Sequence, residues 1–149
     1  GDLDAFEKSK PVMDLYGKKV EFMGDTGSGQ QTKIINQICI GGLIQSLSEA
    51  IYFMKHTNLD STKVLDVISS GAAQSWQMEN RFKTMTEDKF DFGFAVDLMR
   101  KDLSIAFRES EKYGIELEIT KIVDTFYEDL QKQGHNNLDT SSLIKRLIK

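Results

Sequence analysis

The chain has almost no proline and almost no cysteine. Pro11 is the only proline among 149 residues and lies close to the start, so later helices can run without the break that proline imposes. Cys39 is the only cysteine, which excludes an intramolecular disulfide. Because Cys39 lies in an apolar, helix-like stretch, we expect a buried thiol in a cytoplasmic protein.

The chain also lacks a strong charge imbalance, a membrane span and a metal motif. Nineteen basic and 23 acidic residues give a formal net charge of −4, which argues against nucleic acid or an anionic membrane as the main partner. No unbroken apolar stretch approaches the roughly 18 residues of a membrane span, and no signal peptide is visible. His56 and His135 have no partners at metal-ligand spacing, so no metal site is expected.

Strand-like sequence occurs only near the start of the chain. Residues 18–23 alternate polar and apolar side chains between a turn at Tyr16-Gly17 and Gly24, which predicts one short strand. A single strand is not stable alone, so its sheet should be formed by strands elsewhere. Before this segment, residues 4–15 are typical of a short helix or turn.

From Gln30 onward the pattern is helical. Apolar residues recur every three or four positions up to His56, which predicts one long helix of about seven turns. Asn58 should take the left-handed closing position. Further helices are predicted over 61–68, 73–85, 94–113, 118–133 and 141–148, with a loop over 87–93. Asp60 or Ser61 should cap the first of these helices, and Asp139 should cap the last. The predicted fold class is therefore all-α, a helical bundle with a long first helix.

A glycine-rich segment joins the predicted strand to the long helix. Glycines stand at positions 24, 27 and 29, and Lys33 follows in the first turns of the helix. The spacing matches neither the P-loop nor the G-x-G-x-x-G pattern. Two interpretations stay open: a loop that holds phosphate at the positive helix end, or a flexible connector.

Lys33 has two interpretations as well. A lysine on a helix surface is usually a solvated charge, but the first turns of a helix disfavour a cation, which suits a lysine that releases a proton during catalysis. Asn36 and Gln37 lie three and four positions further on and share its face. Together they would present an ammonium group and two amides to a hydroxyl or carbonyl oxygen.

A second candidate segment begins with an aromatic loop that contains Phe90, Phe92 and Phe94 and continues into a helix that carries Lys101 and Asp102. From the residues alone, these are either core phenylalanines followed by solvated charges, or part of a site.

Taken together, these segments resemble a known family. Residues 27–37 resemble the G-x-G-x-x-x-K-x-x-N-[NQ] signature of the 3-hydroxyisobutyrate dehydrogenase family, within the β-hydroxyacid dehydrogenases. Three further segments resemble the family in the same order: Ser48-Glu49-Ala50, the F-x-x-x-F…K-D-L segment that starts at Phe90, and the G…D-x-S close at Gly134 and Asp139. The chain departs from the family pattern at two positions: Asn58 replaces the usual Gly, and Glu118 replaces a Pro that many members have.

The resemblance implies a domain organisation. Residues 1–24 would be the tail of an N-terminal Rossmann domain, including its last strand, and residues 25–149 the C-terminal helical catalytic and dimerisation domain. NAD or NADP would be bound mainly by the N-terminal domain, which lies outside this chain, so the chain by itself should be inactive. A homodimer or homotetramer is expected.

The resemblance also implies an activity and a site. The function would be NAD(P)-dependent interconversion of a small β-hydroxy acid and its semialdehyde. Its site residues would be Lys33 as general acid/base, Asp102 as a second catalytic group, Asn36, Gln37 and Phe94 for the substrate, and Lys101 for the cofactor. The alternative is a helical dimerisation or interaction module without activity of its own.

Overall fold

The computed structural model describes residues 1–148 and contains six α-helices and one 3₁₀ helix. Within those residues no β-strand is formed, so the predicted all-α class is confirmed. The helices are α1 (Leu3–Met13), α2 (Ser28–Lys55), α3 (Ser61–Ile68), α4 (Trp76–Thr86), α5 (Val96–Lys112), α6 (Glu118–Lys132) and the C-terminal 3₁₀ helix (Thr140–Arg146).

The chain divides into two compact units, of which the first is Gly1–Asn36 and the second begins at Gln37. The first unit contains α1 and the start of α2. Helix α1 begins where the carboxylate of Asp2 accepts a hydrogen bond of 2.7 Å from the amide of Ala5, which satisfies one of the free N–H groups of the first turn. The rings of Phe6 and Phe22 lie 5.4 Å apart. No residue of the first unit is buried.

The predicted strand over residues 18–23 is wrong, and with it the strand remnant in the predicted fold. The segment is irregular. The alternation of its side chains is real, but a strand also needs a neighbouring strand to accept and donate its backbone hydrogen bonds. Along residues 1–148 the only bridge of this kind is an isolated one between Ala95 and Asp139, so residues 18–23 have no ladder partner there.

The second unit contains two clusters of buried apolar side chains. The first core cluster joins α2, α5, α6 and the 3₁₀ helix and consists of Ile44, Val96, Met99, Leu103, Val123, Tyr127, Leu130 and Leu143. The second core cluster joins α2, α4 and the 3₁₀ helix and consists of Leu47, Ile51, Met54, Met78, Phe82, Met85, Phe90 and Ile144. Helix α2 contributes to both, so it is the central element of the bundle.

The packing of α2 explains two of its sequence features. A Cβ atom on Gly41 would lie 3.6 Å from a methyl group of Val123 on α6, so α2 and α6 pass close to each other at that glycine. Cys39 is exposed rather than buried, because it lies on the face of α2 that also carries the exposed side chains of Ile35 and Leu43. Length and composition alone would allow α2 to cross a membrane, but core helices commonly pass the same test.

The helix ends follow the predicted signals with two exceptions. Asp60 accepts hydrogen bonds from the amides of Thr62 and Lys63 and starts α3, as expected for an N-cap aspartate. Asn58 does not take a left-handed conformation, since Asp88 is the only non-glycine residue in the described part of the chain with a positive φ. The last predicted helix is a 3₁₀ helix that ends at Arg146.

Candidate active site

The glycine-rich segment and the first turns of α2 belong to the first unit. Gly24 and Gly27 have φ values of 115° and 104°, a conformation that other residues rarely adopt, and α2 begins at Ser28. Lys33 and Asn36 are both exposed. Their separation of three residues places them on one face of the helix.

Gln37 opens the second unit, one helical turn after Lys33 on the same helix. Its side chain is only 5% exposed, and its Nε2 atom donates a hydrogen bond of 2.8 Å to Oδ2 of Asp102 on α5. The two residues are 65 positions apart in the sequence. Helix α2 is therefore tied to α5 by a buried polar contact between two of the predicted site residues.

The other oxygen of Asp102 faces Lys101. The Nζ atom of Lys101 lies 3.1 Å from Oδ1 of Asp102. The Asp102 side chain is 3% exposed, whereas the Lys101 side chain is 56% exposed, so the carboxylate is buried and the ammonium group reaches solvent. The structure thus brings Gln37, Lys101 and Asp102 together, as a fixed carboxylate between an amide and a cation.

Phe94 lies in the loop before α5. Its side chain is half-buried and packs against the first core cluster. Its backbone is held on both sides, because its amide donates to Oδ2 of Asp139 at 2.9 Å and its carbonyl accepts from the amide of Thr140 at 2.8 Å. The backbone of Phe94 is thereby tied to the start of the C-terminal 3₁₀ helix.

Asp139 and Arg81 form a contact that the sequence did not predict. Asp139 is 1% exposed, and its Oδ1 atom accepts a hydrogen bond of 3.0 Å from Nε of Arg81 on α4. The guanidinium group of Arg81 also lies 5.0 Å from the ring of Trp76 and 4.9 Å from the ring of Phe92. Arg81 and Asp139 are 58 positions apart, so no local pattern could have paired them.

Tyr127 on α6 is a buried ionisable residue that contacts Thr140, next to Asp139. The side chain is fully buried, and its hydroxyl group donates to the carbonyl of Thr140 at 3.3 Å. Burial, and to a smaller extent the negative charge of Asp139, raise the pKa of Tyr127 far above its ordinary value. Tyr127 is therefore a neutral hydrogen-bond donor and not an acid/base near neutral pH.

Comparison with known proteins identifies the family of the chain. Residues 27–147 match the family profile described as the NAD-binding domain of NADP-dependent 3-hydroxyisobutyrate dehydrogenase. The chain belongs to the 3-hydroxyisobutyrate dehydrogenase family. The family membership predicted from the sequence is confirmed.

Individual relatives agree with this assignment. An uncharacterized oxidoreductase of Shewanella frigidimarina is 51% identical over 149 residues, which are 100% of this chain and 51% of that protein. The 2-hydroxy-3-oxopropionate reductase of Escherichia coli is 31% identical over 147 residues, which are 99% of this chain and 50% of that protein. The chain thus spans about half the length of the curated relatives it matches.

Solved structures of the family share the fold. The crystal structure of 3-hydroxyisobutyrate dehydrogenase from Salmonella typhimurium superposes with a TM-score of 0.88 at 27% identity, over 98% of this chain and 52% of that chain. The 3-hydroxyisobutyrate dehydrogenase of Mycobacterium tuberculosis also gives 0.88, at 22% identity, over 100% of this chain and 53% of that chain. The helical architecture is therefore that of the equivalent half of a family enzyme.

Proposed function

We propose that this chain is the catalytic helical part of an NAD(P)-dependent oxidoreductase that interconverts a small β-hydroxy acid and its semialdehyde. The observation that carries the proposal is the buried hydrogen bond between Gln37 and Asp102, at 2.8 Å. An amide and a carboxylate held together away from water form a rigid support for reacting groups. The proposal also rests on membership of the family.

Lys33 is the general acid/base in this proposal. In the direction of oxidation, the C–O–H group of the substrate loses its proton to the neutral amine of Lys33 as the hydride leaves carbon. In the direction of reduction, the ammonium group of Lys33 returns a proton to the carbonyl oxygen. Asn36 lies on the same helix face and would hold the substrate oxygen, so that the proton moves along a fixed line.

Gln37 and Asp102 have supporting roles. Gln37 binds substrate in this proposal, and its amide group is fixed because Nε2 is hydrogen-bonded to Asp102. Asp102 is a second catalytic group in this proposal. Phe94 is the apolar side of the substrate pocket, and small hydroxy acids present a short carbon chain to it.

A nicotinamide cofactor, when bound, supplies or accepts the hydride. The residues of this chain fit such a group in one respect: the Lys101 side chain is 56% exposed and carries its ammonium group beside a buried carboxylate. An exposed cation of this kind suits the hydroxyl or phosphate oxygens of a dinucleotide. We propose that the rest of the cofactor is bound by an N-terminal domain that this chain does not contain.

Replacing Lys33 tests the proposal in the full-length protein. We expect Lys33→Ala to lower kcat by about a hundredfold or more, because general acid/base catalysis contributes factors of roughly 10² to 10⁴. Binding of NAD(P)H, followed by fluorescence titration, should stay within about twofold, since Lys33 acts on the substrate oxygen.

The matched control is Lys63→Ala. Lys63 is also an exposed lysine near the start of a helix, α3, but has no role in the proposed site, so kcat should not change. An unchanged kcat in Lys33→Ala, or an equal loss in both variants, would contradict the role of Lys33.

A helical assembly module is the second candidate. Helix α2 leaves Leu43 and Phe53 43% and 72% exposed in the second unit. Exposed large apolar side chains on one helix are common where subunits associate. In this proposal the chain contributes to a homodimer or homotetramer, and the assembly role is compatible with the catalytic one.

A further inference from the structure

We infer that Asp139 is a positioning residue, which fixes the backbone of Phe94 and the start of α5 and thereby the substrate side of the proposed site. This inference rests on the proposed function, because the role of Phe94 in binding substrate is part of that proposal. The contacts of Asp139 themselves lie entirely within the second unit.

The Asp139 carboxylate is surrounded by donors. Its Oδ1 atom accepts from Nε of Arg81 at 3.0 Å, from the amide of Ser141 at 3.1 Å and from the hydroxyl group of Ser141 at 2.5 Å. Its Oδ2 atom accepts from the amide of Phe94 at 2.9 Å. The side chain is 1% exposed, so water does not compete for these bonds.

The arrangement uses both oxygens of Asp139 as acceptors, which an amide cannot provide. An asparagine of the same shape carries one oxygen and one NH₂ group. With its oxygen toward Arg81 and Ser141, its NH₂ group would meet the Phe94 amide, donor against donor. The reverse orientation would place NH₂ against Arg81 and Ser141. The first orientation keeps more hydrogen bonds, so Asp139→Asn should lose the bond to Phe94 in particular.

The backbone around Asp139 also holds the start of α5. This helix has no side-chain cap at Ala95. The amides of Val96 and Asp97 instead donate to the carbonyls of Leu138 and Asn136, at 2.9 and 3.1 Å. Residues 136–139 therefore act as the cap of α5, in place of the usual Ser, Thr, Asn or Asp.

This cap sets the position of the proposed site residues on α5. Lys101 and Asp102 follow the capped end within two helical turns, and Asp102 makes the buried bond to Gln37. Catalytic groups have to be held within about 0.5 Å of their working positions. A change at Asp139 is therefore expected to reach the site through Phe94 and α5 without removing any group that touches substrate.

Arg81 is not available as a cation that binds substrate. Its side chain is 16% exposed and is bound to Asp139, and its guanidinium group lies against Trp76 and Phe92. A cation that is already paired and stacked is not available to a substrate carboxylate. The role of Arg81 is therefore to hold Asp139 in place.

The test measures Asp139→Asn in the full-length protein, with NAD(P)H and a panel of small semialdehydes, at equal concentrations of folded enzyme. We expect the KM for the semialdehyde to rise about tenfold, the scale expected when reacting groups are displaced by a fraction of an ångström. The KM for NAD(P)H should stay within about twofold. A merely structural role would lower the apparent kcat and leave both KM values unchanged.

Asp129→Asn is the matched control. Asp129 on α6 accepts from Nε of Arg146 at 3.3 Å in another partly buried ion pair. This pair joins α6 to the C-terminal 3₁₀ helix and not to α5, so the semialdehyde KM should not change. The inference is overturned if folded Asp139→Asn keeps its semialdehyde KM, or if Asp129→Asn shifts it equally. If Asp139→Asn does not fold, Arg81→Gln decides, with a rise of about threefold supporting the inference and no rise overturning it.

Failure of the proposed function would look different. In that case the unaltered protein shows no NAD(P)-dependent activity on the panel, or Lys33→Ala retains it, and the inference about Asp139 fails with it. With an active unaltered protein that depends on Lys33, the result for Asp139 stands by itself.

Discussion

Tyr127 shows how burial at a single residue makes stability depend on pH. The side chain is fully buried in the first core cluster, and its pKa is raised, first by burial and then by the charge of Asp139. A group with a raised pKa in the folded state contributes stability that is complete below its unfolded value, near 10 for tyrosine. That contribution is lost as the pH rises above this value, because only the unfolded chain releases the proton.

We therefore predict that the chain loses about 1 kcal/mol of its free energy of unfolding between pH 10 and 11 on account of Tyr127 alone. Tyr127→Phe should remove this part of the loss, although it costs roughly 1 kcal/mol at neutral pH because the hydrogen bond from the hydroxyl group to the Thr140 carbonyl is lost. Urea denaturation at several pH values would measure both effects. Tyr16→Phe is the control for loss of a tyrosine hydroxyl group outside the core, since Tyr16 is 79% exposed; it should not reproduce the effect of Tyr127→Phe.

At the scale of single residues, the sequence predicted local interactions and not distant ones. Family motifs assigned both Gln37 and Asp102 to the proposed site, but they did not predict the buried hydrogen bond between the two residues. Asp139 was expected to cap the last helix, which it does, but its bonds to Arg81 and Phe94 were not foreseen. A cap is a local interaction between neighbours in sequence, whereas these bonds join residues 58 and 45 positions apart.

The loop before α5 gives a prediction at the scale of one element. Gly93 has a φ of +75°, and a Cβ atom there would lie 2.0 Å from Oδ2 of Asp139 and 2.9 Å from Nη2 of Arg81. Gly114, which ends α5, has a similar φ of +64° but nothing within 4 Å. The two glycines share the backbone requirement and differ only in their surroundings.

Gly114→Ala should therefore cost about 1–2 kcal/mol of stability, from the left-handed backbone alone. Gly93→Ala should cost about 3 kcal/mol more, because the new methyl group also displaces the buried Asp139 carboxylate from its partners. Chemical denaturation of both variants measures the difference. Equal losses would mean that the loop moves aside without disturbing Asp139.

Whole elements could be predicted where local signals agree. The N-cap at Asp60 and the apolar periodicity located α3 and α2 to within about two residues. Residues 18–23 were wrongly expected to be a strand. The alternation of polar and apolar side chains suits a strand, but it does not show whether a partner strand is present to complete the hydrogen bonds. Cys39 was wrongly expected to be buried, since a helix that is apolar all round does not reveal which face meets the core.

The isolated chain provides a prediction at the scale of the whole molecule. We expect purified residues 1–149 to fold, as judged by helical circular dichroism, and to reduce no measurable NAD(P) with any hydroxy acid. The reason is that the chain spans about half the length of its relatives and most of the cofactor site is proposed to lie outside it. Substrate-dependent formation of NAD(P)H would contradict this division of the site.

The purified chain also tests the proposed role in assembly. Light scattering over a range of concentrations would show whether the chain alone associates. A dimer that is lost in Phe53→Ser would support a role of α2 in assembly, since Phe53 is 72% exposed. A monomer at every concentration would count against assembly through this chain alone.

The cap of α5 has a consequence for the order of events during synthesis. The amides of Val96 and Asp97 receive their acceptors from Leu138 and Asn136, about 40 residues later in the chain. During synthesis, α5 is added to the chain before the two carbonyl groups that complete its first turn. The first N–H groups of α5 therefore lack these acceptors until residue 138 has been added. A premature stop before residue 136 would release a chain in which the amides of Val96 and Asp97 have lost both of these acceptors. The start of α5, beside the proposed substrate site, would then lack its cap.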